Sequence, residues 1–377
     1  TGSGSRALCS GRPLRLLVAI PPRSLRMAAP SGFKAVPTDA YYDEYHGHAV
    51  EYLEDIHAEL RRSHRSVIFL AGDSSLDNKF WFSRCADALN GYERVLRPPR
   101  MKTDVCYWMN REAVQRNAKD LCCLNTSIEA TSLNGRAFCS LLKQDVFIRD
   151  HITADDYLVV SVGGNDIALT PVLCTVLNLL LLSWCIPVAC VENCACAFPC
   201  NSHCDGGCAT CGLPGCITGF PCGWPPSIGY FVDLFKNRVQ NYVSRLVSRT
   251  KPKKVLVCMI YFLDEAVTGS WADGALTCMC YNGYPYRLQA AIRAMFRLAT
   301  QQIHIPGTEV VAVPLFKVLD GKTSSDYIQR VEPSPDGGRK LAAFVMDYVL
   351  GVEGASSGSD GSSASSPRQM AMGGGLD

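Results

Sequence analysis

The chain has 377 residues, which is enough for one large α/β domain with insertions or for two domains. Its formal net charge is +2 and 19% of its residues are charged, so it lacks the strong basic excess typical of nucleic-acid-binding proteins, and we expect no nucleic-acid partner. Hydrophobic residues make up 47% of the chain, as expected for a well-buried core.

The two ends of the chain differ in composition from its middle. The first thirty residues are basic, and the first acidic residue is Asp39. Two interpretations fit: a translated leader ahead of a start at Met27, which we favour, or an organellar transit peptide. We predict residues 1–36 to be leader or disordered, and the Ser/Gly-rich residues 351–377 to be a disordered tail. No secretory signal is convincing, so we expect an intracellular, cytoplasmic protein, with organellar import as the alternative.

Apolar periodicity predicts alternating helices and strands over residues 37–350. An amphipathic helix with Val50, Leu53, Ile56 and Leu60 on one face precedes the first strand. The predicted strands are 66–71, 105–108, 120–124, 157–162, 254–261 and 309–313, and the predicted later helices are 80–89, 132–150, 230–247, 287–303 and 338–350. This alternation predicts right-handed crossovers and a parallel sheet.

Two polar motifs follow strands with uninterrupted apolar residues, the pattern of buried parallel strands. Gly72-Asp73-Ser74 ends the first strand, and Gly163-Gly164-Asn165-Asp166 ends a later one. The carboxyl ends of strands in such a sheet line the ligand crevice, so we expect Ser74 and Asn165 to face each other there. A serine paired with an amide donor suggests acyl transfer. The plainer interpretations are a helix cap for Ser74 and a turn residue for Asn165.

These motifs, with the later Pro333-Ser334-x-x-Gly337, resemble the SGNH (GDSL) hydrolase family over roughly residues 64–350. The resemblance implies a flavodoxin-like three-layer α/β/α sandwich with a central parallel sheet. It also implies hydrolysis of ester or acyl groups by a serine nucleophile, with no cofactor required for catalysis.

Carried over residue by residue, the resemblance makes Ser74 the nucleophile and its backbone N–H one oxyanion donor. Asn165 supplies a side-chain donor. Ala130 occupies the place of a glycine whose amide would complete the oxyanion hole, with Gly135 as a nearby alternative. Oxyanion or loop support is assigned to Asp73, Gly164 and Asp166.

The sequence departs from the family at the base, because Glu332 stands at the histidine position and Gln329 at the aspartate position. A carboxylate is a weaker base than imidazole unless burial raises its pKa. The histidines that precede strands are expected at the amino end of the sheet, but His203 could fold over Ser74. Two functions stay open: an ester or acyl hydrolase, possibly impaired, and an inactive binding or scaffold protein of the same fold.

Residues 171–226 form a predicted insertion that leaves the carboxyl end of the strand before Asn165. Its first part, 171–191, is apolar and uncharged, which fits a buried or lid helix, a membrane-surface contact or a membrane span, and we favour the first. An apolar lid would suit a lipid-like ester substrate, and contact with a partner or membrane would suit the scaffold function.

The second part of the insertion is rich in cysteine. Close spacing predicts a structural zinc site, and disulfides or acylated or buried thiols are the alternatives. The candidate zinc ligands are Cys194, Cys196, Cys200, His203, Cys204, Cys208, Cys211 and Cys216.

Overall fold

The computed structural model describes residues 34–352 except residues 44, 138–139, 169–172 and 198–222. Contacts divide the chain into two compact units, Thr1–Lys34 and Ala35–Asp377, and the described residues other than Lys34 belong to the second. The predicted leader and tail, and most of the cysteine-rich part of the insertion, lie outside the described residues.

A five-stranded parallel sheet forms the centre of the fold. Its strands run in the spatial order β2-β1-β3-β4-β5, the order of flavodoxin-like doubly wound sheets. The predicted fold class is confirmed. The strands are Ser66–Gly72 (β1), Leu121–Asn125 (β2), Tyr157–Ser161 (β3), Lys254–Met259 (β4) and Glu309–Pro314 (β5).

The register of β1 and β3 brings the two polar motifs together. Gly72 pairs with Ser161, so the two strands end side by side at the same edge of the sheet. Almost every residue of β1 and all residues of β3 are buried, as the uninterrupted apolar runs predict. Ser74 and Asn165 therefore leave the sheet at neighbouring points.

Helices cover the sheet in the places that right-handed crossovers require. The helix Val105–Gln115 packs against the last helix, Pro335–Leu350. A second group contains Val50–Ser63, Lys143–His151 and Val239–Leu246, which precede β1, β3 and β4. The six long helices are Val50–Ser63 (α1), Val105–Gln115 (α2), Lys143–His151 (α3), Val239–Leu246 (α4), Pro285–Leu298 (α5) and Pro335–Leu350 (α6). Shorter helices are Thr38–Asp43, Tyr92–Val95, Leu133–Ala137, Gly164–Ala168, Leu173–Leu180, Val188–Asn193, Ile228–Val232 and Asp273–Cys278.

The predicted strand at 105–108 is wrong, because these residues open α2. The side chain of Asp104 accepts a hydrogen bond of 2.8 Å from the Tyr107 N–H and so caps the helix. Val105, Met109 and Ala113 are buried at four-residue spacing, which is the helical period. The prediction failed because residues 105–108 taken alone favour a strand, whereas the helical period becomes visible only over residues 105–113.

The predicted helix at 80–89 is also wrong. The chain there forms a short 3₁₀ turn, Lys79–Trp81, and then the strand Cys85–Asp87, which pairs antiparallel with Arg100–Lys102. Lys79 is completely buried and its ammonium contacts two carboxylates, so a tertiary ion pair holds the segment outside a helix. The tertiary ion pair of Lys79 therefore outweighs the local helix propensity of residues 80–89.

The described part of the insertion packs on α5 rather than standing alone. Leu179, Leu182 and Val191 are buried, and the Trp184 indole N–H donates a 3.2 Å hydrogen bond to the Cys278 carbonyl. A π-helical turn over Leu181–Cys185 interrupts the segment. Within the described ranges, no helix has both the length and the apolar character that a membrane crossing requires.

We expect Gly72→Ala to destabilise the protein by about 3 kcal/mol, because overpacking of this kind displaces backbone. A Cβ at position 72 would lie 2.3 Å from the Ser161 carbonyl oxygen, inside the β1–β3 pairing. Urea unfolding measures the change. The matched control is Gly274→Ala, where a Cβ would meet nothing within 4 Å and a helical alanine should be neutral or stabilising. Equal effects of the two substitutions would contradict the packing argument.

Candidate active site

Ser74 sits in a tight turn directly after β1. The Asp73 N–H donates to the Ser161 carbonyl at 3.2 Å, and the Asp73 carboxylate accepts from the Ser75 N–H at 3.1 Å. The Ser75 hydroxyl donates to the Ser161 hydroxyl at 2.7 Å. Both neighbours are thus tied to the sheet while Ser74 is half-buried at the cleft. A turn rather than an α-helix follows Ser74, so the helix-cap interpretation does not apply.

Asn165 lies in the first turn of the helix Gly164–Ala168, opposite Ser74. Its amide nitrogen donates a 3.0 Å hydrogen bond to the Thr131 carbonyl, which orients the side chain. The next residue, Asp166, accepts from the backbone N–H groups of Leu133 and Asn134 at 2.6 and 2.9 Å and so ties this helix to the one at Leu133–Ala137.

Ala130 lines the same cleft and has a left-handed backbone, with φ of 56°. This conformation favours glycine and costs an L-residue about 1–3 kcal/mol. A glycine would adopt this conformation without that cost. Gly135, the alternative, is exposed within the helix Leu133–Ala137, and its N–H donates to the Ser132 hydroxyl at 3.2 Å.

Glu332 lies in the short strand Glu332–Pro333 and is 7% exposed. Burial raises the pKa of its carboxyl to about 7; a hydrogen bond with the Ser74 side chain lowers it, and the charges of Asp73 and Glu129 raise it. The Oε2 atom of Glu332 is buried and has no hydrogen-bond partner among the described residues. A buried carboxyl group with a raised pKa therefore lines the same cavities as the candidate nucleophile.

The loop that carries Glu332 is held by a buried arginine. Gln329 and Arg330 both have left-handed backbones, and the Arg330 guanidinium donates to the Asp264 carbonyl at 2.9 Å and to the Asp273 carboxylate at 2.6 Å. Gln329 stands where the family has an aspartate, yet its carbonyl and amide oxygens accept from the Ser270 hydroxyl at 2.7 Å and the Trp271 N–H at 3.4 Å. The loop is thereby fixed to the segment carrying Trp271.

No histidine lines the cleft in the described part of the chain. His57 and His151 lie together, with ring centroids 5.2 Å apart, near the amino end of the sheet, where their sequence positions predict. His203 lies outside the described residues. His46 lies closer to the cleft than its sequence position indicates. Its Nδ1 is 3.2 Å from the carbonyl oxygen of Glu129, a residue that lines the cleft.

Two cavities meet at Ser74, Asn165 and Glu332. The smaller, of about 70 Å³, is an apolar pocket whose outer wall contains Ile167, Ile260, Leu263, Met279, Leu288 and Ile292. The larger, of about 450 Å³, is an aromatic cleft lined by Tyr45, Phe80, Trp81, Trp271, Glu129 and Ala130. The motif analysis missed these apolar and aromatic side chains, because no local pattern connects the segments that carry them to Ser74.

An ion pair lies behind the aromatic cleft. The Lys79 ammonium is 2.9 Å from a Glu129 carboxylate oxygen and 2.7 Å from one of Asp77. The same Glu129 carboxylate accepts from the Gly47 N–H at 2.9 Å. Glu129 thus joins the loop carrying Tyr45 to the segment carrying Phe80.

The zinc prediction stays a prediction. Among the described residues, no group of three or more His, Cys, Asp or Glu side chains could hold a metal ion. Cys194 and Cys196 are exposed free thiols, and the other six candidate ligands fall within residues 198–222, outside the described residues.

No family model matches the chain, and no curated protein matches its sequence. Similar solved structures include an aryl esterase from M. smegmatis, at 11% identity and a TM-score of 0.36 over 76% of this chain and 99% of that one. A carbohydrate acetylesterase from Sinorhizobium meliloti gives the same four values. A lipase/acylhydrolase from Enterococcus faecalis matches at 10% identity and a TM-score of 0.35, over 76% and 96% of the two chains. These three proteins are named as esterases or as a lipase/acylhydrolase, the kind of enzyme that the sequence motifs resemble. Similarities this distant do not assign an activity to this chain.

We expect Arg330→Leu to lower the free energy of unfolding by about 3 kcal/mol, because it leaves the Asp264 carbonyl and the Asp273 carboxylate without the donor that holds the Glu332 loop. Arg65→Leu is the matched control: Arg65 pairs with Asp155 on the surface, with side chains 73% and 52% exposed. A surface pair of that kind contributes about 0–1 kcal/mol. Guanidinium unfolding of both variants checks the difference, and a loss at Arg330 no larger than at Arg65 would count against the anchoring role.

Proposed function

We propose that the chain is a serine-dependent ester hydrolase in which Glu332 acts as the general base. The observation that carries the proposal is that Ser74 lines the same two cavities as Glu332, a buried carboxyl group whose pKa is about 7. A base is most effective when its pKa lies near the working pH, and burial brings the Glu332 carboxyl into that range.

In the first half of the reaction, Glu332 removes the hydroxyl proton as the Ser74 oxygen forms a bond to the ester carbonyl carbon. The tetrahedral intermediate then loses the alcohol: the carbon–oxygen bond to the alcohol breaks, and the proton on Glu332 passes to the departing oxygen. The product is an ester of Ser74.

In the second half, a water molecule attacks the Ser74 ester. Glu332 takes the proton from that water and returns it to the serine oxygen as the acid leaves. Both halves therefore use one carboxyl group that alternates between base and acid, which a pKa near neutrality allows.

The negative charge on the carbonyl oxygen needs donors in both halves. We assign this role to the Ser74 N–H, for which no hydrogen bond to a described residue is found, and to the Asn165 amide. The Ala130 N–H is the third candidate, because its left-handed turn borders the same cleft. One such donor contributes about 3–4 kcal/mol to the transition state.

Ser74→Ala should abolish labelling by a fluorophosphonate probe and hydrolysis of a short-chain aryl ester, since no other group forms the acyl intermediate. Gel fluorescence and release of the phenol measure the two effects. The control is Ser248→Ala, an exposed serine at the end of α4, which should label and turn over like the unmodified chain. If the unmodified chain neither labels nor hydrolyses esters, the proposal fails and the inactive binding or scaffold function is left.

The value of kcat/KM should fall about tenfold per pH unit below a midpoint near pH 7 and level off above it, because the ionised form of Glu332 is the base. Glu332→Gln should remove this titration and lower kcat at pH 8 by roughly 10²–10⁴. The control is Glu51→Gln, an exposed residue in the first turn of α1.

A stability measurement on Glu332→Gln distinguishes the loss of the general base from a loss of folding. The folded-state pKa of Glu332 is raised, so its contribution to stability is full below its unfolded pKa and is lost as the pH rises to about 7. Glu332→Gln should therefore be at least as stable as the unmodified chain at pH 8, by urea unfolding. A pH profile unchanged in a stable Glu332→Gln variant would exclude Glu332 as the base.

A further inference from the structure

Four aromatic side chains from three separate chain segments converge on the aromatic cleft. The rings of Tyr45 and Phe80 are 4.9 Å apart, and those of Phe80 and Trp81 are 5.4 Å apart, both edge to face. Trp271 closes the cleft from the loop fixed by Gln329. Phe80, Tyr45 and Trp271 remain 55%, 49% and 48% exposed, so the fold does not bury them as core residues. Exposed aromatic residues grouped in this way indicate a binding surface.

The charges that face the aromatic cleft are negative. Glu129 lines it, and hydrogen bonds with Asp77 and Lys79 hold the pKa of Glu129 below its ordinary value although burial opposes this. Lys79 is completely buried and does not line the cleft, so Glu129 is the member of the pair that borders it. Glu332 adds a second carboxyl group. Among the described residues, no Lys or Arg side chain lines the cleft.

The two cavities differ in size and chemistry. The apolar pocket, at about 70 Å³, suits a short hydrocarbon group. The aromatic cleft, at about 450 Å³, accepts a bulkier group and offers ring faces and carboxylates. Because both cavities open at Ser74, one can hold the acyl part of an ester and the other the alcohol part.

We propose that the aromatic cleft binds a quaternary ammonium group on the alcohol part of the substrate, with a short acyl group in the apolar pocket. A permanent cation with methyl groups gains from the faces of aromatic rings and from nearby carboxylates, and it needs no hydrogen-bond acceptor. The proposal rests on the proposed ester hydrolysis and adds no chemical step to it.

The test compares two esters of nearly identical shape: acetylcholine and its uncharged carbon isostere, 3,3-dimethylbutyl acetate. At pH 8 we expect kcat/KM to be roughly tenfold higher for the cationic ester, the range that cation–π contacts supply. Equal values for the two esters would overturn the subsite while leaving ester hydrolysis intact.

Phe80→Leu and Tyr45→Leu should each reduce this preference at least twofold by lowering kcat/KM for the cationic ester, with that for the uncharged ester changed little. The control is Tyr286→Leu, since Tyr286 is 47% exposed on α5 and lies outside the cleft. An unchanged preference in both cleft variants would place the cation elsewhere and contradict the proposal.

A binding measurement separates this proposal from the function on which it rests. The Ser74→Ala variant cannot turn over, so choline and 3,3-dimethylbutanol can be titrated against it by calorimetry. We expect choline to bind more tightly, and Phe80→Leu introduced into that variant to weaken choline binding alone. If neither ester is hydrolysed but choline binds in this way, the hydrolase function fails and the subsite stands. If choline shows no advantage over the alcohol, the subsite fails whatever the activity.

Discussion

The ion pair between Lys79 and Glu129 is the constraint on which the site depends. An ammonium group in a dry interior is costly unless carboxylates surround it, and Asp77 and Glu129 keep the pKa of Lys79 above its ordinary value although burial lowers it. The carboxylate of Glu129 also accepts from the Gly47 N–H, so one ion pair fixes two of the three segments that carry aromatic residues of the cleft. It also accounts for the absence of a helix at 80–89, since a helix would draw Lys79 away from its partners.

If Glu332 is the base, as we propose, the residue at 329 does not have to be a carboxylate. An imidazole base needs a carboxylate to orient its ring, whereas a carboxyl base carries no N–H to orient. Gln329 is therefore released from that task and instead contacts the Trp271 N–H.

The sequence predicted the features that depend on local pattern. Apolar runs located all five strands of the sheet, and their alternation with helices predicted the parallel arrangement that brings the Ser74 and Asn165 motifs to one edge. The sequence-based prediction failed at 80–89, where the buried Lys79–Glu129 ion pair decides the structure, and at 105–108, where a helix cap at Asp104 does so. It also missed the aromatic cleft, because Tyr45, Phe80 and Trp271 are brought together only by tertiary contacts. The raised pKa of Glu332 depends on burial in the same way, since the residue type alone indicates an ordinary carboxyl.

Burial of Glu332 also connects the base to whatever occupies the cleft. The carboxyl is half-ionised near pH 7 because removing it from water disfavours its charge, and because Asp73 and Glu129 are nearby. A cation bound among the aromatic rings would act in the opposite direction and favour the ionised form, which is the base. An uncharged occupant offers no such compensation and removes water as well. If Glu332 is the base, as proposed, the charge of the substrate therefore shifts the protonation state of the group that activates Ser74.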